Sequence, residues 1–472
     1  MKRYCMPLSF AGICMAVILT TSSAFGMIPD TIWTKCFGGP DWDYGYDVEQ
    51  TADGGYIVAG DYWTIGRMSD VFLIKTDSLG DTLWTRKYGG YNSDVAYGVQ
   101  QTFDGGYVVT GYRTVFDAES WLLKTDANGD TLWTKIYGGS EDDYTFCVLQ
   151  TADSGYVVVG ETESFGVGGE DAWLLRTDKN GDTLWTKTYG GADNDGAYWM
   201  RQTPDGDYVL AGYTGGPDPR DGWLIKIDEN GDTLWTRSYG GAEDDIFLSL
   251  QCAPDGGYIC VGNTQSIGAG GYDVWLVKVD SLGNQEWERA YGGMEYEDCY
   301  GVDITFDGCY IVTGETESFG PGPGDLWLIK CDAAGDSVWT CIYGPAAGNE
   351  WGIAVKMTSD QGYIIVGSTT SFGAGENDIW LLKTEPDLGV VERRTRSLKN
   401  GYTGPTIFNG PLLLPEGKQC RVFDITGRVV APQHIKPGVY FIEIDEQIVQ
   451  KVIKVYFIEL DGEITKKVVK VR

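Results

Sequence analysis

Acidic residues recur at matching positions along this chain, a few residues after each of several Gly-Gly pairs. The candidate binding residues among them are Asp41, Asp43, Asp94, Asp142, Asp143, Asp193, Asp195, Asp244, Asp245, Glu297 and Asp298. Carboxylate oxygens of this kind suit calcium, and two carboxylates at a fixed separation can hydrolyse a glycosidic bond. A catalytic pair would stand at one place, whereas these acids repeat. We therefore interpret them as binding residues and predict that the chain is not an enzyme.

Composition excludes several other kinds of site. The single histidine, His434, rules out a Ser-His-Asp triad, a zinc site built from several histidines and a Cys-x-x-Cys-His haem attachment. No Gly-rich phosphate loop precedes a helical pattern. A polysaccharide hydrolase and a quinoprotein-like enzyme remain as alternatives. Calcium is the only cofactor that the residues suggest, and the sequence assigns no metal-ligand set.

Charge narrows the class of partner. The 472 residues carry a net charge of −32, and residues 28–390 hold 20 Lys and Arg against 59 Asp and Glu. Such a field disfavours nucleic acid and anionic membrane surfaces, and it favours cations or cationic partners. An alternative interpretation is that the acids only keep a secreted, strand-rich protein soluble.

A repeat of 49 to 52 residues organises the region that carries these acids. Its marker is a tryptophan, at Trp33, Trp84, Trp133, Trp185, Trp235, Trp287 and Trp339, followed by Gly-Gly or its remnant and then by Asp-Gly-Gly-Tyr or a near copy. Repeats of this length are single supersecondary units that bury their apolar faces by stacking on one another. We assign these tryptophans a structural role between neighbouring units.

Each unit contains four short strand patterns separated by turn residues. In the unit of residues 130–178 they cover residues 130–137, 144–151, 155–160 and 172–177, and the last pattern joins the first pattern of the next unit through a short hairpin. Residues 30–35 and 378–383 then have no sequential partner and should pair. The prediction is an all-β, seven-bladed β-propeller with four-stranded blades over residues 27–386, closed by its N-terminal strand.

Because neighbouring strands run in opposite directions, the connections between them divide between the two faces of the disc. The two short hairpins of each blade should lie on one face of the disc. The acidic connections and the Gly-rich connections, at residues 164–169, 266–271, 318–320 and 371–373, should share the other face. This second face is where we expect a ligand to bind.

Residues 1–26 have the pattern of a secretory signal peptide, with Lys2 and Arg3 before an apolar stretch that is short of the about 20 residues that a membrane span needs. No other stretch suggests an integral span. Nine cysteines follow the signal and do not recur in register, so most are interpreted as small buried apolar residues. Cys252 and Cys260, which flank one hairpin, are the only pair worth testing for a disulfide.

The repeat resembles the bacterial β-propeller repeat known as SBBP. The likeness rests on Trp-Thr-Lys-x-Tyr-Gly-Gly, the acidic pair, Asp-Gly-Gly-Tyr-x-Val-x-Gly and Asp-x-Trp-Leu-x-Lys, and it covers about three quarters of the chain. It implies an extracellular or surface propeller and no particular activity. A weaker likeness to quinoprotein propellers rests on the Asp, Gly and Trp of residues 126–133.

The tail changes composition. Residues 387–404 suggest a linker, and residues 405–472 suggest a small C-terminal β-sandwich. The tail resembles the sorting domain of type IX secretion substrates, through Asp424, Gly427, Arg428, Gly438 and Tyr440. That likeness implies export by the type IX machinery and a secreted or outer-membrane surface-attached location. Residues 440–455 and 456–471 are near copies, which departs from the usual single hairpin.

Together these patterns favour a secreted or cell-surface propeller that acts as a binding or adhesion module for a glycan or protein through its acidic face. A structural surface-layer or spacer protein is the alternative from a different class. Binding sensitive to substitution of the loop acids would separate the two.

Overall fold

The computed structural model describes residues 28–387, except 65, 67, 217 and 218, and five short strands of the tail. The chain divides into two compact units, residues 1–392 and 393–472. The signal sequence, most of the linker, His434, Gly427 and Arg428 lie outside the described residues. The described residues include no helix long and apolar enough to cross a membrane.

Twenty-eight strands form seven antiparallel four-stranded sheets, here called blades 1 to 7. Blade 1 contains β2 (Asp43–Gln50), β3 (Tyr56–Tyr62), β4 (Asp70–Thr76) and β5 (Thr82–Tyr88). Blade 2 contains β6 (Asp94–Gln101), β7 (Tyr107–Thr114), β8 (Ala118–Thr125) and β9 (Thr131–Tyr137). Blade 3 contains β10 (Asp143–Gln150), β11 (Tyr156–Thr162), β12 (Asp171–Thr177) and β13 (Thr183–Tyr189). Blade 4 contains β14 (Asp195–Gln202), β15 (Tyr208–Thr214), β16 (Asp221–Ile227) and β17 (Thr233–Tyr239).

Blade 5 contains β18 (Asp245–Cys252), β19 (Tyr258–Thr264), β20 (Asp273–Val279) and β21 (Gln285–Tyr291). Blade 6 contains β22 (Glu297–Ile304), β23 (Tyr310–Thr316), β24 (Asp325–Cys331) and β25 (Ser337–Tyr343). Blade 7 contains β26 (Glu350–Met357), β27 (Tyr363–Thr369) and β28 (Asp378–Thr384), and its outer strand is β1 (Thr31–Phe37). The pairing of β1 with β28 closes the ring, and the predicted seven-bladed propeller is confirmed.

The position of a strand within its blade explains its pattern of burial. The second and third strands are mostly buried, and β27 and β28 are buried along their whole length, because both faces of these strands pack against neighbouring blades. The outer strand alternates between exposed and half-buried residues in most blades, as in β9, because only one of its faces meets protein. The core is therefore a set of layers between blades.

The Asp-Gly-Gly-Tyr motif builds the hairpin between the first and second strands. In blade 1, Asp53 accepts hydrogen bonds from Thr51 Oγ1 at 2.5 Å and from the Gly55 amide at 3.0 Å. Gly54 has φ +82°, which only glycine adopts without strain. The buried ammonium of Lys75 lies 2.9 Å from Asp53 Oδ2. This lysine–aspartate pair explains why both residue types recur in the repeat.

The repeated tryptophans join successive blades, as predicted. Trp133 of blade 2 lies edge-on to Tyr156 of blade 3, with ring centroids 5.7 Å apart. A Cβ atom on Gly181 would lie 2.8 Å from Trp133 Cζ3, so the hairpin of blade 3 has room for glycine alone. The Tyr137 hydroxyl donates to the Gly181 carbonyl at 2.5 Å beside this contact. Trp33 makes the matching contact with Tyr56 across the closure of the ring.

Eight cysteines lie in the described ring, and none of them forms a disulfide there. Cys260 is buried and Cys252 half-buried. The ladder pairs Cys252 with Tyr258 and Leu250 with Cys260, so the two thiols do not face each other in register.

The tail unit contains a two-stranded sheet of β29 (Leu412–Leu414) and β31 (Gly438–Tyr440). It also contains a three-stranded sheet of β30 (Cys420–Asp424), β32 (Lys454–Leu460) and β33 (Glu463–Lys470). These strands place Asp424, Gly438 and Tyr440 within strands. The predicted sandwich and its sorting role stay predictions.

Replacing Trp133 by alanine should lower the free energy of unfolding by about 3 kcal/mol, because a large ring would leave the junction between blades 2 and 3. Urea unfolding of the full chain, followed by tryptophan fluorescence, measures this. Leu132→Ala is the matched control, since Leu132 is 58% exposed in the same strand and should cost less than about 0.5 kcal/mol. Equal losses for the two variants would contradict the junction role.

Candidate binding site

The predicted face exists and carries the acidic residues. The connections after the second and fourth strands of each blade meet there, and this surface is here called the loop face. The opposite surface, formed by the five-residue hairpins such as 51–55 and 77–81, is called the hairpin face. Six of the predicted binding residues stand at the first position of an inner strand, namely Asp43, Asp94, Asp143, Asp195, Asp245 and Glu297.

These six carboxylates are 0 to 3% exposed. Each accepts a hydrogen bond of 2.6 to 2.8 Å from the amide of the second glycine of the preceding Gly-Gly pair. Asp143 also accepts hydrogen bonds from Thr162 Oγ1 and, at 2.8 Å, from Ser164 Oγ. The structure therefore gives this set of acids a role in holding the loops.

A second carboxylate faces each of these acids across the first glycine of the pair. A Cβ atom on Gly190 would lie 2.2 Å from Asp171 Oδ1 and 2.7 Å from Asp195 Oδ2. Burial, and then the charge of Asp195, raises the pKa of Asp171. The Gly-Gly pair thus recurs because its first residue passes between two carboxyl groups.

The remaining predicted acids differ in exposure and contacts. Asp193 is exposed and Asp41 is half-buried. Asp142, also half-buried, accepts a hydrogen bond from the Ala118 amide at 2.7 Å. Asp298 accepts one from Asn263 Nδ2 at 2.9 Å, and burial raises its pKa.

Asp244 is 4% exposed. Burial alone would raise its pKa, but hydrogen bonds from Arg220 and Tyr272 hold that pKa at about 2. The predicted acids are therefore spread over separate blade junctions. Within the described ranges, no group of three or more His, Cys, Asp or Glu side chains could hold a metal ion.

A ring of large side chains lines the central channel, and sequence reasoning missed it. In every blade the ladder between the first two strands skips one residue, so that Gly45 pairs with Gly60 and Asp47 with Ala59, leaving Tyr46 as a β-bulge. The skipped residues form the channel ring: Tyr46, Tyr97, Phe146, Tyr198, Leu248, Tyr300 and Ile353. Each follows the first acid of its inner strand by three positions, a regularity that the sequence does contain.

Four ring members from blades 1 to 4 are in successive contact. The centroids of Tyr46 and Tyr97 are 5.0 Å apart, those of Tyr97 and Phe146 are 5.2 Å apart, and those of Phe146 and Tyr198 are 5.0 Å apart. The blade 1 to 4 side of the channel therefore has a continuous aromatic wall.

Polar residues stand on the loop-face side of this ring, at the sixth position of each second strand. They are Asp61, Tyr112, Glu161, Tyr213, Asn263, Glu315 and Ser368. Burial is the largest influence on the three acids, here called the mouth carboxyls. It raises the pKa of Asp61 to about 7, that of Glu161 to about 8 and that of Glu315 to about 8.

The mouth carboxyls lie within electrostatic reach of the channel ring. After burial, the charges of Asp61 and Glu161 both contribute to the raised pKa of Tyr97. Glu161 likewise acts on Tyr198, and Glu315 acts on Tyr300. Aromatic rings and protonatable carboxyl groups therefore share the mouth of the channel.

One oxygen of Glu161 lacks a hydrogen-bond partner among the described residues. The Tyr213 hydroxyl is adjacent to Glu161, but it donates its single hydrogen to Glu170 Oε2 at 2.6 Å. Glu161 Oε2 is buried without a hydrogen-bond partner among the described residues. Arg220 lies over the Tyr213 ring at 5.3 Å, and its guanidinium pairs with Asp244 instead.

A cavity of about 220 Å³ extends from the channel ring toward the hairpin face, and it is lined by the ring, by Trp199 and by Lys356. The Lys356 ammonium of blade 7 lies 5.1 Å from the Trp199 ring of blade 4, so this contact crosses the channel. Arg201 lies 5.1 Å from the same ring. The basic groups of the channel are thus on the far side of the channel ring from the mouth carboxyls.

Asp143→Ala should lower the free energy of unfolding by about 2 kcal/mol, because the buried donors of Gly139, Thr162 and Ser164 would lose their acceptor. Glu141→Ala is the control, because Glu141 is an exposed acid of the same loop and its loss should change stability by less than about 0.5 kcal/mol. Urea unfolding of both full-length variants decides the matter. A neutral effect of Asp143→Ala would return this acid to the candidates for direct ligand contact.

No protein-family model matches this sequence, and no curated protein matches it. Solved structures are similar to the ring in fold. The WD40 domain of Pan2 from Neurospora crassa is 10% identical with a TM-score of 0.48, over 77% of this chain and 98% of that chain. YCF48 bound to D1 peptide is 11% identical with a TM-score of 0.45, over 78% and 100%. Puromycin hydrolase is 15% identical with a TM-score of 0.48, over 82% and 57%. At these values the likenesses carry no conclusion about ligand or activity.

Proposed function

We propose that this chain is a binding module that takes a basic protein segment on its loop face, over the mouth of the central channel. One observation carries the proposal. Positions with a structural role have the same type of residue in all seven blades. The first residue of every inner strand is acidic, and the first residue of every second strand is tyrosine. The channel-ring and mouth positions instead vary from blade to blade. A single asymmetric ligand needs such variation, whereas packing does not.

Charge supports a basic partner. On the hairpin face, the motif aspartates pair with buried basic residues, as Asp104 does with Lys124 at 3.0 Å. The loop face adds exposed acids at Glu141, Asp193, Glu243 and Glu295. The exposed acids around the channel mouth would steer a cationic segment to that face and speed its association.

A screen of the full chain against a random peptide library, with a glycan array in parallel, tests the proposal. Peptides rich in Lys and Arg should be selected, and Tyr198→Ala should weaken their binding at least about tenfold, because ring residues at the centre of an interface carry most of its energy. Phe103→Ala is the matched control, since Phe103 is an aromatic residue 72% exposed on the hairpin face.

Other outcomes of that screen contradict the proposal. Selection on the glycan array alone would identify a carbohydrate-binding module, for which aromatic rings are also suited. Binding in neither the peptide screen nor the glycan array would favour the structural surface-layer or spacer role. Equal loss in the Tyr198 and Phe103 variants would remove the mouth as the site. Running each arm with calcium and with a chelator tests the separate proposal that calcium takes part.

The module is proposed to be exported, as an SBBP-type propeller with a type IX sorting tail. The support is the apolar N-terminal segment and the motif around Asp424 and Gly438. Mass spectrometry of the protein recovered outside the producing bacterium should give a mature N-terminus at Met27. An N-terminus at Met1 on extracellular protein would contradict the signal-peptide assignment, and recovery from the cytoplasm alone would contradict export.

A further inference from the structure

We propose that the mouth of the channel holds an organic ammonium group, such as the end of a lysine side chain, against the aromatic wall of blades 1 to 4 and between Asp61 and Glu161. The inference rests on the binding function proposed above and names the group that the ligand presents there. Three features of the described ring carry it: the aromatic wall, the mouth carboxyls Asp61 and Glu161, and the absence of a protein counter-ion for them.

The aromatic wall offers a surface for a cation. Tyr46, Tyr97, Phe146 and Tyr198 are in unbroken ring contact along the channel. The face of an aromatic ring is electron-rich and attracts ammonium groups, more strongly where water is partly excluded. All four rings are half-buried, so each keeps some surface open to a ligand.

Two acids flank this wall from different blades. Asp61 of blade 1 is 5% exposed, and both it and Glu161 of blade 3 act electrostatically on Tyr97 of blade 2. Tyr97, in blade 2, stands in the ring between the blades that carry the two carboxyl groups. An ammonium group over Tyr97 would meet a ring face together with two carboxylates.

Neither acid has a cation of its own within the described residues. Asp61 is faced by Asp43, the Tyr44 amide, Ser69, Tyr46, Tyr97 and Tyr112. Glu161 is faced by Glu163, Glu170, Arg220, Tyr97, Tyr144, Tyr198 and Tyr213. Arg220 is the one basic group in either set, and two hydrogen bonds of 3.0 and 2.6 Å hold it on Asp244. A ligand ammonium would supply the missing charge.

Protonation should control this binding. Burial raises the pKa of Asp61 to about 7 and that of Glu161 to about 8, so both acids are largely neutral at pH 5.5 and ionised at pH 8.5. An ammonium group favours the ionised forms. Its affinity should therefore rise with pH, by about tenfold for each acid whose pKa the ligand lowers by one unit.

Saturation-transfer NMR titration of the full chain with n-butylamine tests the proposal, because this amine stays protonated over the whole range. Neutral n-butanol is the matched ligand control. We expect n-butylamine to bind, with an affinity at least about tenfold higher at pH 8.5 than at pH 5.5, and n-butanol to bind far more weakly at both. Equal binding of amine and alcohol, or affinity that does not rise with pH, would overturn the proposal.

Variants locate the site. Glu161→Gln and Asp61→Asn should each weaken n-butylamine binding about tenfold and flatten its pH dependence. Glu295→Gln removes the same charge from an exposed position elsewhere on the loop face and should leave both unchanged. An equal effect of Glu295→Gln would show that only the general field of the disc acts. Tyr97→Leu tests the ring separately and should weaken binding of the amine without altering the steepness of its pH dependence.

The two proposals can fail separately. If n-butylamine does not bind but Tyr198→Ala still abolishes binding of the selected peptides, the ammonium site is wrong and the binding function stands. If peptides are not selected and n-butylamine does not bind, both are wrong. Should a carboxyl variant fail to fold, the comparison of amine with alcohol in the unaltered protein still decides the ammonium site.

Discussion

The ring depends on one backbone pairing, that of β1 with β28. In the other six blades a covalent hairpin joins the third strand to the outer strand, whereas this pair joins segments about 350 residues apart within one sheet. It places Trp33 on Tyr56 and so repeats the contact found at the other junctions. With the ring closed, inner strands surround one channel, and residues from opposite blades, such as Trp199 and Lys356, come into contact. The candidate site exists only in this closed form.

The many acids of the chain divide by role, which composition alone does not reveal. Hairpin aspartates such as Asp53 balance buried lysines. Acids at strand starts, such as Asp195, accept amide hydrogen bonds and make close pairs around glycine. A smaller set stands at the mouth with no counter-ion, and Glu161, whose Oε2 is buried without a hydrogen-bond partner among the described residues, is its clearest member. Electrostatic repulsion within the ring is thus limited by hydrogen bonds at the first two sets and by proton uptake at the third.

Much of the fold follows from local pattern. The period of Trp133 and its counterparts, the hairpin glycines and the unpaired terminal strands together predict seven closed blades. The site was harder to predict from the sequence. A bulge at Tyr46 or Phe146 does not change the alternation of residues within a single strand, and it becomes visible only when two strands are paired. Burial of Asp43 and Asp143 was missed for a related reason: each accepts a hydrogen bond from a backbone amide, a donor that every sequence has.

Because of the bulges, different residues of each inner strand pair with the next strand and line the channel. A residue left out of the ladder does not set its register, so its side chain can change while every neighbouring pair keeps its partner. The blades already show this freedom, with tyrosine, phenylalanine, leucine and isoleucine at one position on the same backbone. The side chains that line this channel can therefore be substituted one blade at a time, by evolution or by a protein engineer, while the pairing of the strands stays the same.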